Sequence, residues 1–470
     1  MLSLQELRES LRLAEHLAHL SLTSGRDRRD TSHSQSGGGM PKPYVPPKQL
    51  LLYLVRMGSF TSKPQMESEE GEDDLVSVPD GVLDRQALLR WVQAPLAHLP
   101  PLLPRVYRPR PTHVSAAKST ASSPATTPTV KSPVTTPTMK SPVTTPTAKS
   151  SDTQAHIPLP GSFRVMQWNI LAQALGTHAD NFVKCPPAAL EWKTRRYRIL
   201  EEIITHQPHI ICLQEVDHYR VLERVLDAQG YQGLFMPKPD SPCLYLPSNS
   251  GPDGCAVFWD NNRFKLLAKE TRVVEVWHVQ SNQVAILLVL EERTTGKQLV
   301  VLTTHLKARQ GALLSSLRNE QGKDLLSFLN EHRQVRPTIV CGDFNAEPSE
   351  PVYTTMIDGT TGLESAYALL NGGKEPQYST WKVRGDQDCC HNIDYIFYTP
   401  VSLHVEGGLD VPTEKAMGPG RVPNLSYPSD HFSLVCDFTF LADKDTRNDT
   451  SSLEIGSNIS PVVYQTHARS

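Results

Sequence analysis

The stretch TIVCGDFNAEP, residues 338–348, decides the fold. Thr338–Cys341 is a short apolar, β-branched run and reads as a strand. Directly after it come Asp343 and Asn345, two residues apart in an extended turn and pointing to one side. The same pattern, a strand closing on polar side chains, recurs outward in both directions. Phe163–Trp168 reads as a strand ending in Gln167-Trp168-Asn169, and His209–Leu213 as one ending in Gln214-Glu215. Gln298–Thr304 leads into His305-Leu306-Lys307-Ala308-Arg309. Ile393–Tyr398 carries Asp394-Tyr395, and His431–Phe440 follows Ser429-Asp430-His431. Gly254–Trp259, Phe264–Val276 and Val284–Leu290 complete the strands, while Leu190–Thr205 and Gly311–His332 have helical periodicity. Many strands with hairpins and interspersed helices predict an α/β sandwich rather than a βαβ wheel.

Carboxylates gathered at strand ends repel one another unless a cation offsets them. Oxygen donors without a Cys or clustered-His motif select a hard cation, Mg²⁺ or Mn²⁺. Glu215 and Asn169 can hold it. Asp343 can hold and deprotonate a water, and His431, beside Asp430 and oriented by Asp394, is a positioned acid or phosphate ligand. Together these parts predict phosphoester hydrolysis.

The rest of the chain is organised differently. Of 38 prolines, 20 fall in residues 41–160, and all eight cysteines lie between Cys185 and Cys436. The expectation is a low-complexity region over 1–160, a catalytic domain over 161–441 and a disordered tail over 442–470. On this division the first 160 residues are dispensable for chemistry. Within them, residues 3–20 have the periodicity of a short amphipathic helix with a Ser3–Glu6 capping box. The islands Leu50–Phe60 and Val82–Leu103 are linker or protein-docking motifs. Residues 123–149 repeat SPATTPTVK, SPVTTPTMK and SPVTTPTAK, an extended tether whose Ser-Pro and Thr-Pro steps suit a proline-directed kinase. A net charge of −3 gives no broad basic track for nucleic acid, but leaves room for a local basic pocket. No apolar run reaches the roughly 18 residues of a membrane span. The scattered cysteines read as reduced, intracellular thiols.

The ordered set WNI, QE, TH, GDFNA, DY and SDH resembles the exonuclease–endonuclease–phosphatase superfamily over about residues 162–440. That resemblance implies a four-layer αββα sandwich: two β-sheets packed face to face and flanked by helices. It implies a metal on Glu215, with Asn169 close by and Asp430 on the metal side. Asp343 and Asn345 would handle the attacking water and the phosphate, and His305 and His431 would contact the phosphate. Longer strings, among them MQWNILAQALG (166–176), CLQEVDHY (212–219), PKPDSPCL (237–244) and STWKVR (379–384), are similar to one branch of the superfamily. On that resemblance Lys238, Lys307, Arg309 and Arg384 line the substrate pocket of a monomeric 2′-phosphatase acting on NADP⁺ and NADPH. It also implies circadian-controlled expression and a cytoplasmic location with a second, mitochondrial form. The alternatives are a 3′→5′ exoribonuclease on poly(A) RNA, the activity of deadenylase cousins, and a silent binding protein. The basic residues around a divalent ion favour the dianionic monoester. Against the branch pattern stand Cys390 in place of a basic residue, Asn392 in place of Thr, and Leu313-Leu314-Ser315-Ser316 after Arg309.

Overall fold

The computed structural model describes residues 84–111, 158–176, 182–247 and 249–442. The helix expected at 3–20, the island Leu50–Phe60, the repeats and residues 443–470 lie outside them. In chain order the strands are β1 Tyr107–Pro109, β2 Phe163–Asn169, β3 Ile210–Val216, β4 Tyr231–Pro237, β5 Gly254–Asp260, β6 Phe264–Val276, β7 Val279–Glu292 and β8 Gln298–His305. Then follow β9 Thr338–Asp343, β10 Glu364–Ser365, β11 Thr380–Arg384, β12 Gln387–His391, β13 Asp394–Tyr398, β14 Leu403–Leu409 and β15 Leu434–Phe440. The helices used below are α1 Arg85–Gln93, α2 Trp192–His206, α3 Tyr219–Asp227, α4 Ala312–Arg333 and α5 Pro351–Ile357.

Period-two alternation sorts the strand side chains into layers. From β2, β3, β7, β8 and β9, one set faces the other sheet: Phe163, Val165, Ile210, Cys212, Ile286, Leu288, Leu299, Val301, Ile339 and Cys341. The alternate residues face helices. Met166, Trp168, Ile211 and Leu213 pack with α1, α2 and α3, and Leu287, Val300, Leu302 and Val340 pack with α4 and α5. The result is two mixed sheets, ordered β1-β14-β15-β2-β3-β5-β4 and β10-β13-β9-β8-β7-β6, each covered by helices outside. The hairpin β11-β12 stands apart as a third, two-stranded sheet. Both parallel pairs, β2 with β3 and β8 with β9, bring strand C-termini to one end of the sandwich. All eight cysteines are free thiols. No helix among the described residues is long and apolar enough to cross a membrane.

The first boundary moves. Residues 84–111 fold onto the domain instead of belonging to a linker. Asp84 caps α1 by accepting from Ala87 N at 2.8 Å. Leu88 and Val92, four residues apart on one helix face, are buried against Ile199, Leu200 and Ile203 of α2. β1 then adds an edge strand beside β14. The proline-rich flanks dominate the composition of this region, and one helical turn of apolar spacing is too short a signal to stand out from them.

Arg105 of this segment reaches Glu202 of α2 at 3.0 Å, with both side chains at or below 1 % exposure. Burial would push the Glu202 carboxyl up, but His206, Arg105 and Ser433 outweigh it and hold it at about 2, below its usual 4.5. An acid with a depressed folded-state pKa stabilises the fold above its unfolded value, and that contribution is lost as pH falls through the folded value. Glu202→Gln should therefore flatten the acid limb of the stability–pH curve between about pH 4.5 and 2, a contribution of about 3 kcal/mol. Urea melts across this range check it; an unchanged limb would remove Glu202 from acid unfolding.

Candidate active site

The strand C-termini deliver the polar side chains. In the first sheet Asn169 closes β2 and pairs in register with Gln214 of β3. Glu215 follows at φ 54°, a left-handed conformation rare for a non-glycine residue, within the irregularity between Leu213 and Val216. In the second sheet Asp343 lies between His305 of parallel β8 and Asp394 of antiparallel β13, so three polar residues stand in a row. Gly342 makes this row possible: a Cβ there would meet the Thr304 carbonyl oxygen at 2.6 Å. Asn345, at φ 50°, turns back and donates its backbone N–H to Asp343 Oδ1 at 2.9 Å.

Hydrogen bonds join the two sheets across the site. The Asn169 amide donates to Glu215 Oε1 at 3.0 Å and to Asp343 Oδ2 at 2.9 Å. Gln214 donates to Gln167 Oε1 at 2.9 Å and to Thr303 Oγ1 at 3.0 Å, and Gln167 reaches Asp394 Oδ1 at 3.4 Å. Asp394 also accepts from Ser379 Oγ at 2.6 Å and holds His431 Nδ1 at 2.8 Å. That contact leaves His431 Nε2 aimed between Asp343 Oδ2 at 3.8 Å and Asp430 Oδ2 at 3.9 Å. His305 Nε2 lies 3.0 Å from the Asn345 amide nitrogen and 3.6 Å from Asp343 Oδ2. Asn169, Asp343, Asp394, Asp430, His305 and His431 are all buried.

The two histidines are driven in opposite directions. Burial, Lys238 and His431 push His305 well below its usual value, so it is neutral. Burial also opposes charge on His431, but Asp394, Asp430 and Asp343 outweigh it and raise it to about 9, so it is an imidazolium at neutral pH. Burial and Asp394 lift the Asp343 carboxyl to about 7. Burial alone would lift Asp430 too, but Lys382, His431 and Arg384 hold it well below the usual carboxylate range. Lys382 forms an ion pair with Asp430, and Arg384 lies 3.7 Å from it.

The donor set fits a hard cation. Ligand atoms of Glu215, His305 and Asp343 lie within 4.8 Å of one another, and so do those of Asp343, Asp394 and His431. Burial and Asp394 lift Asp343 despite His431, Asn169 and Asn345, and Asp430 Oδ1 is buried without a hydrogen-bond partner among the described residues. Glu215 with Asp343 would hold the ion, and Asn169 fixes the orientation of both carboxylates. Asp430 is engaged through Oδ2 with Lys382 and available through Oδ1.

The basic residues differ from one another in role. Lys238 is buried against Asp253 at 2.6 Å, a neutralised pair that also reaches His305 Nδ1 at 3.4 Å. Burial, Arg309 and Lys238 lower Lys307 to about 8. Among the described residues neither Lys307 nor Arg309 forms a salt bridge. Arg384 stacks over Phe182 at 5.2 Å.

The sequence profile of the Endonuclease/Exonuclease/phosphatase family matches residues 166–431. The chain belongs to this family. Within it, the chain is 42 % identical over 435 residues to nocturnin of Drosophila melanogaster, covering 87 % of this chain and 64 % of that one. It is 51 % identical over 287 residues to Homo sapiens nocturnin, covering 60 % and 66 %. The human nocturnin catalytic domain solved with a bound sulfate anion superposes with a TM-score of 0.52 at 45 % identity, covering 61 % of this chain and 97 % of that one. The chain is thus a nocturnin homologue that spans under two thirds of the length of these curated relatives. More remotely, it is related to the CCR4-Not complex 3′-5′-exoribonuclease subunit Ccr4 of Candida albicans, at 26 % identity over 59 % of this chain and 41 % of that one.

Asn169, Glu215, His305, Asp343, Asn345, Asp394, Asp430 and His431 lie at the shared strand-end edge or on the loops beside it, Lys238, Lys307 and Arg309 follow the ends of β4 and β8, and Arg384 lies on the hairpin β11-β12. Several partners were missed. Asp253 sits in the stretch SGPDGCA (250–256), yet nothing in a sequence says that its carboxylate will neutralise Lys238. Ser379 and Lys382 precede Asp394 on a hairpin that reads as loop. Only the three-dimensional return of that hairpin, through a Thr380–His431 bridge, brings them in. Asn392, a departure from the branch pattern, is buried with neither amide atom hydrogen-bonded among the described residues.

Proposed function

We propose that this protein is a divalent-cation-dependent phosphomonoesterase that removes the 2′-phosphate of NADP⁺ and NADPH. The carrying observation is the group Lys238, Lys307 and Arg309: one cation is neutralised by Asp253, while two lack a salt-bridge partner among the described residues, and burial, with Arg309 and Lys238 nearby, lowers Lys307 to about 8. A cationic pair of this kind needs an anion, and a monoester dianion supplies more charge than a diester link. Kinship with nocturnin and the sulfate bound by its human catalytic domain support the same reading.

The residues divide the work as follows. Glu215 and Asp343 would hold Mg²⁺ or Mn²⁺, which when bound neutralises charge developing on the phosphoryl oxygens. Asp343 accepts a proton from the attacking water. Asn345 and neutral His305, in contact at 3.0 Å, would face a phosphoryl oxygen. His431, kept cationic by Asp394, donates through Nε2 towards the phosphoryl group.

The reading is tested by phosphate release from NADPH beside shortening of labelled poly(A), with Mg²⁺ and one enzyme preparation. Release from NADPH with intact poly(A) is expected; shortening without release would give the site to RNA. Arg309→Ala should raise KM for NADPH by about 10- to 150-fold with kcat nearly unchanged, since a charge-assisted phosphate contact contributes roughly 1.5–3 kcal/mol. Arg309→Lys should recover only part. An equal loss, through kcat, on a monoester lacking the adenosine and diphosphate would put Arg309 in the chemical step instead.

A further inference from the structure

We propose that residues 84–111 brace the loop 425–433, which carries Asp430 and His431, and that Arg105 is the positioning residue of that brace; the loop's catalytic part rests on the function proposed above. Loop 425–433 contains no helix or strand beyond isolated bridges, so contacts from outside set its shape. The brace grips both of its ends. At the entrance Leu103 N donates to the Ser426 carbonyl at 3.1 Å. Arg198 of α2 links the Leu425 carbonyl, at 3.1 Å, to the Pro100 carbonyl of the brace. At the exit Arg105 takes Ser433 twice, through Oγ at 2.9 Å and the carbonyl oxygen at 2.8 Å.

The same guanidinium spans two further groups. It donates to the Asp410 carbonyl at 2.7 Å and to Glu202 at 3.0 Å. Glu202 in turn accepts from Ser433 Oγ at 2.7 Å and Tyr427 Oη at 3.3 Å, and Tyr427 Oη accepts from Ser433 N at 2.9 Å. Arg105 is itself held in place by the next residue, whose carbonyl accepts from Asp410 N at 2.8 Å before β1 pairs with β14. His431, two residues before Ser433, therefore sits on a loop whose ends are tied to a chain segment more than 300 residues earlier.

A merely stabilising segment would bury apolar area and stop there. Leu88 and Val92 do that against α2. The polar grip is different, because it falls on the backbone carbonyls at 426 and 433, on either side of the catalytic pair, and reaches the carbonyl at 425 through Arg198. A fork with a fixed donor geometry is needed to reach Ser433 and Glu202 together, and an ammonium cannot reproduce it.

The test uses the full chain and two matched variants. Arg105→Lys removes the fork at the loop. Arg164→Lys removes a comparable buried fork, that on Asp437 at 2.6 Å, away from the loop. Both should lower Tm. Only Arg105→Lys should speed amide exchange across 425–433, by about tenfold or more, and lower kcat on NADPH by about tenfold with KM within twofold. Ser433→Ala, which removes one contact, serves with the same readouts if Arg105→Lys does not fold. Unchanged exchange at 425–433, or an equal change in Arg164→Lys, overturns the brace. An enzyme inactive on NADPH from the start would count against the proposed function alone, because the exchange comparison still decides the brace.

Discussion

Asp343→Asn should lower kcat by about 10²- to 10⁴-fold, the range for losing a positioned general base, and should make the chelated protein more stable at the same time. The two effects share one cause. Asp343 is buried, faces Asp394 across a ladder pair, and is lifted from 3.8 to about 7. An acid whose folded pKa is raised costs stability as pH rises through the window between the unfolded and folded values. At pH 8 that cost is fully present, at up to about 4 kcal/mol. Asparagine has the same shape and keeps an oxygen for the Asn345 N–H, but not the charge. Melts in EDTA at pH 5 and pH 8 should therefore show a gain that is larger at pH 8. Lost activity together with lost stability at pH 8 would mean that the Asp343 charge is balanced in the fold and that the site is not strained towards a cation.

Glu215→Ala should reduce turnover about 10³-fold at limiting Mg²⁺, since a positioned cation contributes several kcal/mol of charge stabilisation. Glu215 is partly exposed, and among the described residues its side chain accepts only from the Asn169 amide and Ala172 N. Its removal should leave the core intact. Calorimetric titration with Mg²⁺ and kcat against Mg²⁺ concentration separate the effects: affinity falls first, and part of the rate returns at high metal. Full activity of Glu215→Ala at limiting Mg²⁺ would take the ion away from this carboxylate.

The sandwich was legible because its strands are long, β-branched and closed by polar residues. Thr338–Cys341, Phe264–Val276 and Gln298–Thr304 reappear as β9, β6 and β8 with at most two added residues at an end. β7 runs well past Val284–Leu290 because Val279–Gln283 is polar enough to read as loop, yet pairs with the end of β6. The strand expected from His431 begins only at Leu434, since Ser429–Ser433 is held by Trp168, Asn169 and Arg105 rather than by a ladder. β11-β12 escaped notice because Gln387–His391 is polar and half-exposed and lacks an apolar face. At the site, residue types were readable and charge states were not. That His305 is neutral while His431 is charged depends on Lys238 facing one and three carboxylates facing the other. Arg105 shows the same limit. Nothing local to PLLPRVY marks its arginine as the partner of a glutamate 97 residues later.

The most direct measurement is ³¹P NMR of NADP⁺ during incubation with the full-length protein and Mg²⁺. Cleavage at the 2′-phosphate predicts loss of the monoester resonance, equimolar growth of inorganic phosphate and an unchanged diphosphate signal, all absent in EDTA and in Asp343→Asn. A diphosphate signal that splits into two monoesters, or a monoester that persists while poly(A) is degraded by the same preparation, would contradict the assignment of this site to the 2′-phosphate.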